Sequence, residues 1–307
     1  MVIKLGILGI SEGNGHPYSF SAIINGYSDT GLKNSGWPVI YNYVRQKDLA
    51  DFGIEGAKVT HAWTQDREIT KRLCTASLIP NMIEKWEDMI GQIDAVIIAR
   101  DDYETHFSMA MPFLGAGGFV FVDKPLALNV EELKEFHPFL ENGQLMSCSG
   151  MRYAGELDSI RSTIDEYGHI NLVRCTAPNS WEKYGVHMLD AIFNIVPSRP
   201  VSVMMLGANH TSAAITMNDG SLLQIDCLGR SPAKFSVEIW GSNKSGKWEI
   251  SDNFTMFRRT LWHFINSVRN KKVIIPPRLT IDIMRILIAG RVSKHEQRQI
   301  LLDEIQV

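Results

Sequence analysis

Short apolar runs alternate with amphipathic segments over the first third of the chain. Ala95–Ala99 and Phe119–Val122 are continuous apolar runs, as expected for strands that helices cover on both faces. Phe20, Ile23 and Ile24 have helical spacing and precede Gly26, a typical helix stop. The strand-like runs are Val2–Leu8, Lys58–Trp63, Ala95–Ala99 and Phe119–Val122. Strands that alternate with helices predict an α/β domain with a parallel, doubly wound sheet.

The pattern changes after about residue 125. A helix (Val130–Leu140), a strand (Leu145–Cys148) and a second helix (Gly155–Tyr167) come first, and strands follow from Val201 to Ile250. Within that run, Asn218-Asp219-Gly220 is a strong hairpin signal. We therefore predict that the parallel-sheet domain spans residues 1–124. Residues 125–307 should form an α+β domain with an open, mainly antiparallel sheet.

Composition narrows the class of protein. The 307 residues are 45% hydrophobic and carry a formal net charge of −3, which gives no field to attract nucleic acid or an anionic membrane. The first residues enter a strand directly, without the pattern of a signal peptide, so we expect a cytoplasmic protein. The four cysteines form no Cys-x-x-Cys pair, so we expect reduced thiols and no metal site.

A glycine-containing loop follows the first strand and leads into a helix with Pro17 in its first turn. Gly9, Ser11, Gly13, Asn14 and His16 lie along this loop. Free N–H groups at a helix start attract a pyrophosphate, and glycines let it approach the backbone. The match to Gly-x-Gly-x-x-Gly is imperfect, and a purely structural turn explains it equally well.

Lys124 follows the strand Phe119–Val122 directly, within Asp123-Lys124-Pro125. Ligands of open parallel sheets bind outside the carboxyl ends of strands, and a lysine there can hydrogen-bond a substrate hydroxyl. A surface lysine at a strand end fits the same spacing. The adjacent carboxylates of Arg100-Asp101-Asp102 are explained by a loop turn.

A polar stripe runs along the predicted helix that contains residues 183–194. Lys183, His187, Asp190 and Asn194 share one face at helical spacing. A solvated face is the more common explanation of such a stripe. If the stripe faces a site instead, His187 is the natural proton carrier, because its reference pKa lies near neutrality.

Several motifs occur in a fixed order along the chain. They are His106 after the strand Ala95–Ala99, Leu114–Pro125 around Asp123-Lys124-Pro125, Met151-Arg152-Tyr153, and Gly185-x-His187-x-x-Asp190. Together they resemble the Gfo/Idh/MocA oxidoreductase family over nearly the whole chain. Asp123 stands where the family has glutamate, and Lys183 where family dehydrogenases often have aspartate.

The resemblance implies a Rossmann domain that binds NAD or NADP and a sugar, polyol or nucleotide-sugar substrate. It implies that Lys124 contacts the reacting hydroxyl and that His187 is the acid/base. The implied cofactor contacts are Gly9, Ser11, Gly13, Asn14, His16, Asp66, Arg67, His106 and Lys124, with Asp66 for an adenosine ribose or Arg67 for a 2′-phosphate. The implied substrate contacts are Arg152, Tyr184 and Asp190.

The resemblance also implies a homo-oligomer, a dimer or tetramer, that pairs through the second domain's sheet. Leu222, Trp240 and Trp248 are the candidate apolar residues of that face. A second hypothesis is a dinucleotide-binding sensor or scaffold of the same fold, which the altered loop and Lys183 would allow. Retention of both Lys124 and His187 favours the enzyme.

Overall fold

The computed structural model describes residues 2–307 and divides the chain into two compact units. Unit 1 contains the chain up to Leu126 together with Phe136–Ser147 and Phe257–Pro277, and unit 2 contains Ala127–Glu135, Cys148–Met256 and Arg278–Val307. Every helix within residues 2–307 is too short or too polar to cross a lipid bilayer.

Unit 1 is built on a six-stranded sheet whose paired strands are all parallel. The strands are β1 (Ile3–Leu8), β2 (Ala57–Trp63), β3 (Asn81–Met82), β4 (Ala95–Ile98), β5 (Phe119–Val122) and β6 (Leu145–Ser147). The helices in this part of the chain are α1 (His16–Asn25), α2 (Asp29–Lys33), α3 (Pro38–Val44), α4 (Arg67–Ala76), α5 (His106–Gly115) and α6 (Val130–Glu141). The order β3-β2-β1-β4-β5-β6 has its switch point between β1 and β4, where ligands bind in such sheets. The predicted doubly wound parallel sheet is confirmed.

Strand β6 lies outside the first domain if that domain ends at residue 124, as we predicted. It nevertheless pairs with β5 in parallel, with Val120 opposite Leu145 and Val122 opposite Ser147. A three-residue apolar strand carries no local signal of the sheet that it joins, because strand pairing is decided by distant residues. Unit 1 therefore includes two segments beyond the predicted boundary.

Residues 28–56 form an insertion between α1 and β2 that contains α2 and α3, and α3 packs on the glycine-containing loop. A Cβ atom on Gly15 would lie 2.5 Å from Ile40 Cδ1 and 2.6 Å from Trp37. Glycine is thus required at position 15 by close packing. The insertion supports the loop that leads into α1.

Unit 2 is built on a seven-stranded sheet of order β12-β11-β7-β10-β9-β8-β13. The remaining elements of the chain are α7 (Asp158–Thr163), β7 (Ile170–Ala177), α8 (Val186–Ile192), β8 (Pro200–Leu206), β9 (Thr211–Met217), β10 (Leu222–Cys227), β11 (Phe235–Gly241), β12 (Ser245–Ile250), α9 (Asn253–Asn270), α10 (Pro277–Glu296) and β13 (Ile300–Leu301). Only the β7–β10 pair is parallel among the described strands of this sheet, so the predicted mainly antiparallel sheet is confirmed. The hairpin predicted at Asn218-Asp219-Gly220 joins β9 to β10.

The two faces of this sheet differ in burial. Val173 and Cys175 of β7 are buried, whereas Leu172 lies on the other face beside Leu222 and Trp240. The assignment of Trp248 to that second face is wrong. Trp248 is paired with Val237, whose side chain is fully buried, so both residues share the covered face. Alternation along β12 alone does not give its register with β11, and the register decides which residues of the two strands share a face.

Candidate functional site

Three loops of unit 1 meet at the carboxyl edge of its sheet. The Ser11 hydroxyl, after β1, donates to Asp101 Oδ1 at 2.7 Å, and Asp101 follows β4. Lys124 Nζ, after β5, lies 3.9 Å from Asp101 Oδ2. Lys124 is only 4% exposed, so the reading of a solvated surface lysine is wrong. Asp101, which the sequence assigned to a turn, organises this cluster.

Asp123 is the second carboxylate that holds the loop. It accepts hydrogen bonds from Asn14 Nδ2 at 3.0 Å and from His16 Nδ1 at 2.5 Å, and it is buried. Burial acts to raise the pKa of Asp123, but His16, Lys124 and Asn14 oppose it and hold the pKa well below its usual value. The His16 ring also stacks on Phe20 at 4.8 Å. Asn14 and His16 thus anchor the loop through their side chains.

A cavity of about 340 Å³ opens beside this loop. Its lining includes Gly13, Trp37 of the insertion, Gln65 after β2, and Arg72 of α4. Gly13 has a φ of +77°, and no atom lies within 4 Å of the position that a Cβ would take, so the backbone is accessible there. Gln65 fixes the loop because its side chain accepts from Ile10 N at 3.0 Å and donates to Ile10 O at 2.6 Å.

Asp66 and Arg67, the predicted contacts to the adenosine end, are not among the residues that line this cavity. The Asp66 carboxylate accepts from Ile69 N at 2.9 Å and caps α4. Arg67 pairs with Glu84 at 3.3 Å in an exposed position. An aspartate directly before a helix is a preferred N-cap, and that signal was present in the sequence. Gln65 and Arg72 line the cavity instead.

His106 serves the architecture of the loops. It is fully buried, with Nδ1 3.1 Å from Leu126 O and Nε2 3.1 Å from Arg100 O. Burial lowers the pKa of the His106 ring, although the two backbone carbonyls oppose the shift. The ring joins the loop after β4 to the loop after β5, so the predicted direct contact with a cofactor is replaced by a role in positioning these loops.

The polar stripe of α8 is buried in part, so the solvated-face explanation is wrong. His187 is 9% exposed and Asp190 3%. His187 Nδ1 lies 2.6 Å from Ser149 Oγ, and the Ser149 N–H donates to Asp190 Oδ2 at 2.7 Å. Asp190 Oδ1 accepts from Arg152 at 3.0 Å. Ser149 was not anticipated, because it lies 38 residues before His187.

Asp190 and Arg152 form a buried ion pair with side-chain exposures of 4% and 3%. Burial raises the pKa of the Asp190 carboxyl, and Arg152 and the Ser149 N–H oppose that rise. Both partners were predicted as substrate contacts. Their charged ends face each other, so we assign them to the support of Ser149 and His187.

The segment that precedes α8 is held by Trp181. Its Nε1 donates to Leu287 O of α10 at 3.1 Å, and a Cβ on Gly290 would lie 2.5 Å from the same nitrogen. Glycine at 290 therefore permits this contact. The wide turn Trp181–Gly185 follows, and the Tyr184 ring centroid lies 5.1 Å from that of His187.

The sequence of residues 38–147 matches the model of a known family, the oxidoreductases with an NAD-binding Rossmann fold named GFO_IDH_MocA. The predicted resemblance to the Gfo/Idh/MocA family is thereby confirmed over residues 38–147, and the matched family is one of oxidoreductases that bind NAD. A comparison with curated protein sequences gave no significant match.

Solved structures share the fold of this chain over nearly its whole length. Scyllo-inositol dehydrogenase from Lactobacillus casei, with bound NAD(H) and scyllo-inositol, has a TM-score of 0.76 and 17% identity, covering 99% of this chain and 100% of its own. Myo-inositol 2-dehydrogenase from Lactobacillus plantarum has a TM-score of 0.77 and 17% identity, covering 98% and 99%. A probable dehydrogenase from Thermotoga maritima has a TM-score of 0.76 and 13% identity, covering 99% and 100%. At these identities the comparisons establish the fold.

Proposed function

We propose that the protein is an NAD(P)-dependent dehydrogenase that oxidises a CH–OH group of a sugar, polyol or nucleotide-sugar, or reduces the corresponding carbonyl. The observation that carries the proposal is the burial of Lys124 beside the loop that follows β1, at the carboxyl edge of a parallel sheet. The inositol dehydrogenases of the same fold support the class of substrate. We also propose a cytoplasmic location and a homo-oligomer.

The cavity beside the loop fits the adenosine end of a dinucleotide. Trp37 offers a flat aromatic surface, and the exposed backbone at Gly13 leaves room for a phosphate. Ser11, Gln65 and Arg72 supply polar contacts around the same space. When bound, the nicotinamide supplies the acceptor or donor of the hydride.

The remaining chemistry is the transfer of one proton. As CH–OH becomes C=O, the carbon loses a hydride and the oxygen loses a proton. We assign that proton to His187, whose ring is oriented by Ser149 through Nδ1. We assign to Lys124 a hydrogen bond to a substrate hydroxyl, which would stabilise negative charge that develops on the oxygen. The Asp101 carboxylate lies 3.9 Å from Lys124 Nζ and helps to orient that side chain.

The first test is titration of the full-length protein with NADH and NADPH while nicotinamide fluorescence is recorded. Saturable binding is expected, and no binding of either at millimolar concentration would end the proposal. The second test is oxidation of myo-inositol, scyllo-inositol and a panel of sugars. Lys124→Ala should lower kcat by about 100-fold or more and leave cofactor affinity nearly unchanged, whereas full activity of this variant would refute the mechanism.

A sensor or scaffold remains the second candidate, because the loop's polar side chains are committed to protein carboxylates. Ser11 binds Asp101, and Asn14 binds Asp123. Because those side chains already have protein partners, a phosphate there would depend more on backbone groups and on Arg72. Tight binding of NADH or NADPH without turnover of any substrate in the panel would support this function.

A further inference from the structure

Unit 2 contains a cavity of about 900 Å³ that the reaction described above does not explain. Its walls are the loops after β7 and β10, the connection between β8 and β9, and the end of α10. Tyr184 also lines it, and the Tyr184 ring lies 5.1 Å from that of His187. The cavity therefore reaches to within one side chain of the proposed acid/base.

The wall formed by the strand ends is rigidly built. Asn179 and Gly229 pair through two backbone hydrogen bonds, Asn179 N to Gly229 O at 2.7 Å and Gly229 N to Asn179 O at 3.2 Å. Both residues have positive φ angles, 63° and 62°. A positive φ is uncommon for a residue with a side chain and concentrates at sites that bind ligands.

The charged side chains that line the cavity are basic. Arg230 and Lys294 line it and are exposed, and neither forms an ion pair within the part of the chain that the structure describes. His210 is the third basic residue of the lining. No aspartate or glutamate of residues 2–307 lies among the lining residues. The two unpaired cations set the sign of the local field.

The carboxylate that binds the lining residue His210 does not cancel this charge. Asp226 is 1% exposed and binds His210 at 2.9 Å and Arg174 at 3.2 Å. Burial acts to raise the pKa of Asp226, but hydrogen bonds from Ser212, His210 and Arg174 hold it below its usual value. Its charge is thus compensated by its own partners, which leaves Arg230 and Lys294 uncompensated.

Cys227, which lines the cavity, is not a reactive thiol. Burial, with the charges of Glu182 and Asp226, raises the pKa of Cys227 to about 12, so this thiol stays protonated and unreactive at neutral pH. What remains is a set of cations and hydrogen-bonding groups, among them Asn179 and Gln297. That chemistry is suited to holding an anion.

We propose that this cavity binds the carboxylate or phosphate group of an anionic sugar, whose reacting hydroxyl is then presented to His187. Arg230 and Lys294 would hold the anionic group by charge-assisted hydrogen bonds. The inference rests on the proposed dehydrogenase function and narrows its substrate class. Neutral polyols, such as inositols, would lack the group that these cations recognise.

The test is equilibrium binding to the full-length protein, by calorimetry at constant ionic strength, with and without NADPH. The probes are D-glucuronate and D-glucose 6-phosphate, which distinguish a carboxylate from a phosphate, and neutral D-glucose and myo-inositol. At least one anionic probe should bind about 10-fold more tightly than the neutral probes. Arg230→Ala and Lys294→Ala should each weaken that binding by about 5- to 10-fold, with no change for neutral probes.

Arg291→Ala is the matched control, because Arg291 is exposed on the same helix as Lys294 but does not line the cavity. If no anionic probe binds better than D-glucose, or if Arg291→Ala weakens binding as much as Lys294→Ala, the proposal is overturned. The readout requires no hydride transfer. Anion binding without NADH or NADPH binding would therefore refute the dehydrogenase and keep this site, whereas turnover of neutral polyols alone would do the reverse.

Discussion

Replacement of Asp190 by asparagine tests whether the buried ion pair supports the His187 cluster. Asp190→Asn keeps the shape of the side chain and removes its charge. Arg152, with a side chain only 3% exposed, then loses the carboxylate that compensates its charge. Ser149 N–H, 2.7 Å from Asp190 Oδ2, keeps at best a neutral acceptor.

The expected loss is about 3 kcal/mol, the low end of the 3–5 kcal/mol typical when one partner of a buried pair is removed, because asparagine still accepts one hydrogen bond. Asp158→Asn is the control. It breaks the pair of Asp158 with Arg161, but Asp158 is 51% exposed, so solvent screening should limit the loss to less than about 1 kcal/mol. The double variant Arg152→Met/Asp190→Leu removes both charges and should regain at least about half of the loss.

The assay is urea-induced unfolding followed by far-UV circular dichroism, with m-values compared so that the midpoints report stability. Equal midpoints for Asp190→Asn and Asp158→Asn would refute the reasoning. So would a double variant that is less stable than Asp190→Asn.

Three further predictions concern other parts of the molecule. Arg72→Ala should weaken NADPH binding by about 10-fold and NADH binding less, because Arg72 lines the cavity beside Gly13. Arg67→Ala is the control and should change neither affinity, because Arg67 pairs with Glu84 outside the cavity. A larger effect of Arg67→Ala than of Arg72→Ala would contradict the prediction. Burial lowers the pKa of His106, so the unfolded chain binds the proton more tightly and the free energy of unfolding should fall as the pH drops below about 6.5. In urea unfolding, His106→Gln should flatten the pH dependence of that free energy between about pH 7.5 and pH 5. An unchanged pH dependence in the variant would contradict the prediction. Light scattering at micromolar concentration should show a dimer or tetramer. Trp240→Glu places a charge at a 38% exposed residue beside Leu172 and should lower the measured mass of the particle. A monomeric parent protein would contradict the prediction.

The sequence located strands β4 and β5 well, because short continuous apolar runs have few alternatives in an α/β chain. The sequence signal for the hairpin at Asn218-Asp219-Gly220 was also local, because that turn requires specific residue types. The partner of β6 was missed because pairing joins it to β5 through contacts that no window of sequence contains.

For the candidate site, residue type and local spacing were enough to choose candidates, but they did not predict the hydrogen-bond and ion-pair partners of those candidates. Lys124 and His187 were singled out as candidates and both are buried, but their neighbours Asp101 and Ser149 come from segments far along the chain. Asp66 was misassigned although an N-cap signal was present, because one carboxylate after a strand fits both a helix cap and a ribose contact.

The assembly of each unit from three separate stretches of chain has a consequence for how such a protein can be rebuilt. A fragment cut at residue 124 would lack β6 and leave the edge of β5, with its apolar Val120–Val122, open to pairing with other chains. Because each unit is discontinuous along the chain, a single crossover between two genes cannot exchange one whole unit. A functional chimera needs breakpoints at every junction, near residues 126, 135, 147, 256 and 277, so the two halves are inherited together.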